Sequence, residues 1–192
     1  EEKTDWVCLK GKELHYQPFV YFMLNKPAGV VSATEDTLSK TVVELLSRED
    51  YRKDIFPAGR LDKDTEGFLL LTNDGELAHR LLSPKKHVDK TYFVRLRDAL
   101  SEEAGTKLET GVSIGEKKDT RPAKVERVDT DTILLTIQEG KFHQVKRMLQ
   151  AVDNQVLYLK RITFGGLSLD EGLSPGEYRA LSDEEVKLLY DA

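Results

Sequence analysis

The chain has 192 residues, 39% of them hydrophobic, with net charge −5 and a pI near 5.5, enough to bury a core in one domain of up to two lobes, and too acidic on average for a surface that is basic throughout. Its longest apolar runs, FVYFML and FLLL, fall far short of the ~20 residues a membrane helix requires, and no signal peptide is visible. A single cysteine, Cys8, excludes an internal disulfide, and the four histidines show no metal-ligand spacing with it, so a reducing compartment is expected.

Residues 1–18 are polar and weakly patterned, with Gly11 and Pro18 as breakers, and read as a leader or as the tail of something upstream. FVYFML (19–24) has the composition of a strand, ended by the turn Asn25-Lys26-Pro27-Ala28-Gly29, and VVSA (30–33) resumes extended structure. Thr41 with Glu44 makes a capping box that opens a short helix to about Leu46. A strand over 68–72 is stopped by Asn73-Asp74-Gly75, and a helix over 76–82 places Leu77, Leu81 and Leu82 on one face before Pro84. Residues 92–96 alternate as a strand, and Ser101 caps a helix that stops at Gly111. Segments 123–128 and 132–138 flank Asp129-Thr130-Asp131 and should pair as a hairpin. Helical spacing of Val145, Met148, Leu149 and Val152 marks a helix over 144–152 with Asn154 as its C-terminal cap; 156–162 is a further strand, and Ser182 with Glu185 opens a C-terminal helix. Many strands joined by hairpin turns, with a few short helices, give an α+β domain around a largely antiparallel sheet. Neither GxGxxG nor GxxxxGK[ST] occurs, so a nucleotide-cradling loop has no support.

The stretch GRLDKDTEGFLLLTNDG (59–75) crowds Asp62, Asp64, Glu66 and Asp74 around an apolar run. Asp62, Asp64, Glu66 and Gly67 match the first, third, fifth and sixth positions of a calcium-binding EF-hand loop, but the twelfth is Asn73 instead of the bidentate Glu, and a strand follows where a helix should. Turn chemistry suits Asp64, Thr65 and Asp74 better. Asp62 differs, because it follows Arg60-Leu61 at the edge of a strand-like segment, where a side chain can point into a cleft. Charge is also uneven: 79–97 carries net +5 and 141–161 net +4, leaving the rest of the chain at −14. If the fold brings the two basic segments together, they make one local anion-binding face.

Five phrases in order, YFMLNKPAGVVSA, PAGRLDKDTEGFLLLTNDGELAHRLLSP, HVDKTYFV, EGKFHQVKRML and GGLSLDEGLSPGEYRALS, resemble those of the bacterial RsuA/RluB-type ribosomal RNA pseudouridine synthases over about residues 19–182. The GKFHQVKRM and GEYRAL forms are most similar to the small-subunit members. The resemblance implies the pseudouridine synthase fold, a mixed and largely antiparallel sheet in two lobes about a central active-site cleft. It also implies an isomerase, with no cofactor and no metal, that detaches a uracil from its ribose and rejoins it through carbon.

By position in those motifs, Asp62 corresponds to the nucleophile. A carboxylate can attack, or stabilise positive charge, at the anomeric carbon; attack on the sugar through a glycal-like intermediate and attack on the base ring both remain open. Tyr92 corresponds to the ring that packs on the flipped uracil. Lys146 corresponds to the cation that keeps the aspartate ionised. Arg60 is similar to the arginine that binds phosphate or fills the space of the extruded nucleotide. RNA contact is expected of Lys141, His143 and Arg147, around a helix N-terminus, and of Lys85, Lys86 and Lys90 as a second group. On this reading residues 1–18 are a linker or the tail of a missing S-four-type RNA-binding module, and 19–192 are the catalytic domain. The expected partner is ribosomal RNA of the small subunit or its assembly intermediates, met by a cytoplasmic monomer without membrane contact. A large-subunit enzyme of the same family, a noncatalytic rRNA-binding assembly factor and a calcium module are the alternatives; an Asp62→Asn variant silent in cells would favour the second, and a calcium-dependent melting temperature the third.

Overall fold

The computed structural model describes residues 17–192 and, ahead of them, the backbone of two strands, β1 (Val7–Leu9) and β2 (Lys12–Leu14), which pair antiparallel. Apart from these strands and residues 17 and 18, the expected linker lies outside the described residues. The remaining strands are β3 (Tyr21–Lys26), β4 (Phe56–Ala58), β5 (Glu66–Thr72), β6 (Lys90–Leu96), β7 (Lys124–Asp129), β8 (Thr132–Ile137), β9 (Val156–Phe164), β10 (Leu167–Ser168) and β11 (Tyr178–Ala180). With them run four helices among the described residues, α1 (Gly75–Leu82), α2 (Glu102–Thr110), α3 (Gln144–Ala151) and α4 (Asp183–Asp191). None of these helices is long and apolar enough to cross a membrane.

One nine-stranded mixed sheet runs in the order β11-β3-β5-β9-β6-β8-β7, with β4 on β5 and β10 on β9, so the fold is α+β as expected. Its two antiparallel halves, β11-β3-β5-β4 and β9-β6-β8-β7, meet along a short parallel seam where Glu66 and Gly67 of β5 pair with Lys160 and Arg161 of β9. The seam is short because β4 folds back onto the rest of that β5 edge, pairing Phe56, Pro57 and Ala58 with Thr72, Leu71 and Leu70. Gly67 sits there at φ +102°, and a Cβ on it would fall onto the Arg161 backbone carbonyl, so only glycine permits this approach.

The continuous apolar run of β5 follows from burial on both faces. Leu69 and Leu71 join Phe22, Leu24, Val94, Leu135 and Met148 in one core, while Phe68 and Leu70 face Met23, Leu77, Leu81, Phe164 and Leu189 in the other. α1 and α4 cover the second core and α3 contributes to the first.

Some local expectations are corrected. VVSA forms no strand; Val31 makes one isolated bridge to Thr41. After Thr41 comes a tight 3-10 turn, Val42–Leu45, with the Thr41 N–H donating to the Glu44 carboxylate at 2.6 Å. α3 is not capped by Asn154 itself. Asp153 takes the left-handed conformation at φ 61°, its N–H donates to the Gln150 carbonyl and that of Asn154 to the Leu149 carbonyl, a Schellman closure. Strands β4, β10 and β11, of two or three residues, are too short to leave a periodic signal.

Candidate active site

The loop from β4 to β5 carries Arg60, Asp62 and Asp64, and the NKPAGVVS segment fixes its backbone. Ser32 Oγ donates to the Leu61 carbonyl at 2.9 Å and accepts from the Leu61 N–H at 3.1 Å. Fully buried Lys26 spreads its ammonium over the carbonyls of Pro27, Lys63 and Thr65 at 2.9, 3.2 and 2.8 Å. Burial lowers its pKa to about 8, against the opposing pull of Asp64, Glu66 and Asp62. Gly29 N–H adds a bond to the Lys63 carbonyl at 2.8 Å, and Thr65 N–H closes a turn onto the Asp62 carbonyl at 3.0 Å. In sequence NKPAG has the composition of a turn only; a lysine followed by proline at the end of an apolar strand is the available sign that its ammonium needs internal acceptors.

From the other half of the sheet comes α3. His143 stands before it in the left-handed region at φ 48°, and buried Gln144 ties the approach by accepting from Lys141 N–H at 2.9 Å and donating to Glu139 at 2.9 Å. This aims the first turn of α3 at the β4–β5 loop. Lys146 Nζ lies 3.1 Å from Asp62 Oδ2, and His143 Nε2 lies 3.4 Å from Asp62 Oδ1. Tyr92, only 8% exposed, reaches the same cleft from β6, at an irregularity in the β6–β9 register between Thr91 and Tyr92; such bulges re-aim side chains. Asp62, Tyr92 and Lys146 thus line one cleft of about 440 Å³, open to solvent, with Arg60, Lys141 and His143 around it.

The four carboxylates of the opening stretch part company. Asp62 turns to Lys146 and His143; Glu66 accepts from Tyr158 Oη at 2.6 Å; Asp74 caps α1 through Leu77 N–H at 3.1 Å and accepts from Tyr21 and Tyr190 hydroxyls at 2.7 and 2.5 Å. Asp64, expected to serve the turn, instead holds Lys146 at 2.6 Å, closer than Asp62 does. The Lys146 hydrogen bond is the leading reason that the Asp64 carboxyl sits below its usual range. Burial pulls the Lys146 ammonium down, yet the bonds to Asp64 and Asp62 together outweigh it and raise its pKa. Among the described residues no three His, Cys, Asp or Glu side chains converge on a metal-sized point.

The expected RNA contacts divide. Among the described residues Arg60 is exposed and makes no hydrogen bond or ion pair, and Lys85 and Lys86 stand exposed. Lys141 reaches Glu139 at 3.4 Å. Arg147 is occupied, donating to the Ile114 and Phe142 carbonyls and pairing with Glu116. Lys90 is separated from Lys85 and Lys86 by burial: it is 6% exposed, donates to the Val88 carbonyl and lies over the Phe164 ring.

Comparison with known proteins adds independent findings. The family model described as RNA pseudouridylate synthase matches residues 20–151. An uncharacterized RNA pseudouridine synthase of Bacillus subtilis, YtzG, is 58% identical over 190 residues, 97% of this chain and 80% of that protein. Ribosomal small subunit pseudouridine synthase A of Escherichia coli is 45% identical over 167 residues, 86% of this chain and 72% of that protein. A crystal structure of a pseudouridylate synthase superposes with a TM-score of 0.86 at 43% identity, covering 91% of this chain and 75% of that one.

Proposed function

The chain belongs to the RNA pseudouridylate synthase family and is a pseudouridine synthase, an isomerase; from that premise we propose that it converts a uridine of bacterial small-subunit ribosomal RNA to pseudouridine, with Asp62 as the nucleophile. The observation that carries the assignment to Asp62 is its place in the cleft, 3.1 Å from Lys146 and beside buried Tyr92. The small-subunit substrate is supported by the likeness to the Escherichia coli small-subunit enzyme.

The reaction breaks the N1–C1′ glycosidic bond, turns the uracil and forms a C5–C1′ bond; C5 loses its proton and N1 gains one, so the product is an isomer of the substrate. Asp62 supplies the carboxylate for the sugar or the base ring. Lys146, whose pKa is raised, keeps a positive charge beside that carboxylate at neutral pH. Tyr92 offers a ring face against which a flipped base can pack, which excludes water from the reacting atoms. Arg60, exposed at the rim and without a partner among the described residues, is placed to meet phosphate or fill the gap in the stack.

The test compares wild type with Asp62→Asn on small-subunit ribosomal RNA from a strain lacking the enzyme. Wild type is expected to introduce pseudouridine at one mapped position and the variant to introduce none. Full activity in Asp62→Asn would remove it as the nucleophile, and modification confined to large-subunit RNA would overturn the substrate.

A further inference from the structure

A second cleft of about 1000 Å³ adjoins the first and shares Arg60, Tyr92, Glu139, Gly140 and Lys141 with it. Two buried cations also line it, Lys90 and Arg161, on the neighbouring strands β6 and β9. Arg161 is 2% exposed. Its Nε donates to the Phe68 carbonyl at 2.8 Å, and its guanidinium lies 4.7 Å from the Phe164 ring centre, but Nη2, itself shielded from solvent, has no hydrogen-bond partner among the described residues. Lys90 has a single bond, to the Val88 carbonyl at 3.2 Å. Among the described residues neither cation forms an ion pair: Asp89, next to Lys90 in sequence, is exposed and accepts from Gln138, and Glu139, the carboxylate that lines this cleft, is engaged instead by Lys141 at 3.4 Å, by Gln144 at 2.9 Å and by the Arg121 N–H at 2.9 Å.

Buried charges are ordinarily paired, and an orphaned guanidinium N–H costs the free energy of its lost hydration. Two unpaired cations side by side against a cleft therefore make a place short of a negative charge. Burial first, then the charge of Arg161, bring the Lys90 pKa down to about 8 against the weaker opposing pull of Asp89. Leu82 and Pro84 also line the cleft and give it apolar surface, which suits a nucleotide better than a bare inorganic ion.

We propose that this second cleft holds a phosphodiester of the substrate RNA strand, adjoining the uridine in the Asp62 cleft, with Lys90 and Arg161 as its counter-charges. The inference rests on the reading of the chain as an enzyme acting on RNA. Arg60 and Lys141, on the boundary of the two clefts, then lie between the target nucleotide and its neighbour.

The test uses the full chain and an RNA that it modifies, made as a series with one uncharged methylphosphonate linkage in each member. Wild type is expected to lose roughly tenfold in affinity at one linkage next to the target uridine, while Lys90→Met binds that member and the native RNA alike. The log–log salt slope of Lys90→Met should be shallower by about 1. Lys90→Gln serves the same purpose if the Met variant fails to fold. Indifference of wild type to every linkage overturns the proposal, as does a neutralised variant as sensitive as wild type. Inorganic phosphate at constant ionic strength that raises the melting temperature of wild type but not of the variant, without any sensitive linkage, assigns the cleft to a free anion and also overturns it. A protein that modifies no RNA fails the proposed function itself, whereas modification that persists without a linkage effect fails this inference alone.

Discussion

Replacing Lys146 with methionine keeps most of the length of the unbranched side chain and removes one charge. Its ammonium is shared between Asp62 at 3.1 Å and Asp64 at 2.6 Å. Opposite charges about 4 Å apart attract by about 4 kcal/mol at an effective dielectric near 20. Lys146 and Asp62 side chains are each 26% exposed, so solvent screening reduces this to about 1.5–3 kcal/mol, whereas Asp64, 73% exposed, contributes about 0–1 kcal/mol. If the cation acts on the reacting carboxylate, kcat should fall ~10- to 100-fold while KM moves little, because Lys146 meets protein carboxylates and not RNA. Formation of the new bond displaces hydrogen from C5, so release of tritium from 5-tritiated uridine RNA under single-turnover conditions measures the step. Lys146→Arg should recover part of the rate. The raised pKa of Lys146 means that its stabilising contribution is complete below the ordinary lysine value and is lost only as pH rises through the folded value, so no alkaline limb from Lys146 is expected below about pH 10. Turnover of Lys146→Met within twofold of wild type would refute the reasoning.

Asp74→Asn weakens the acceptor for two phenols while leaving an oxygen for the Leu77 cap, and should cost about 2–4 kcal/mol by urea unfolding. Burial pushes the Asp74 carboxyl up, but the bonds from Tyr190, Tyr21 and the α1 backbone outweigh it and hold it low; its contribution is present above about pH 4 and lost as pH falls through the folded value, so a wild type–variant gap unchanged from pH 7 to pH 2 would contradict this. Gly67→Ala should lower stability by at least ~3 kcal/mol, since it combines a left-handed φ with a clash against Arg161 backbone, and a melting temperature equal to that of wild type would remove the seam constraint. Lys26 and Lys90 titrate near 8 in the folded chain, against about 10.4 when unfolded, so the unfolded chain binds more protons in between. Urea midpoints should therefore rise from pH 8 to 10, and Lys90→Met should lose its share of that slope; a flat wild-type profile would count against both lysines.

Helices α2 and α4 could be read from their capping residues, Ser101 and Ser182, because an N-cap is a local hydrogen bond that the sequence spells out, and α1 from the spacing of Leu77, Leu81 and Leu82. The doubly buried β5 could be read from its apolar run. The seam and β4 could not, since pairing between distant short strands leaves no periodicity. Among candidate site residues, Asp62, Tyr92 and Lys146 follow from motif resemblance, and the cleft that gathers them comes from the 53 residues of chain between Tyr92 and Lys146 folding through α2, β7 and β8. Spacing misjudged Asp64, whose partner lies 82 positions away, and it was silent on Arg161, whose missing partner is visible only once its neighbours are known.

The parallel seam of β5 and β9 divides the proposed active site as well as the sheet. Asp62 belongs to the half built on β5, while Tyr92 and Lys146 belong to the half built on β6 and β9. Neither half holds a site by itself. Loosening of that joint would separate carboxylate from cation before any helix or hairpin came apart, and catalytic rate would then register the union of the halves sooner than circular dichroism could register its failure.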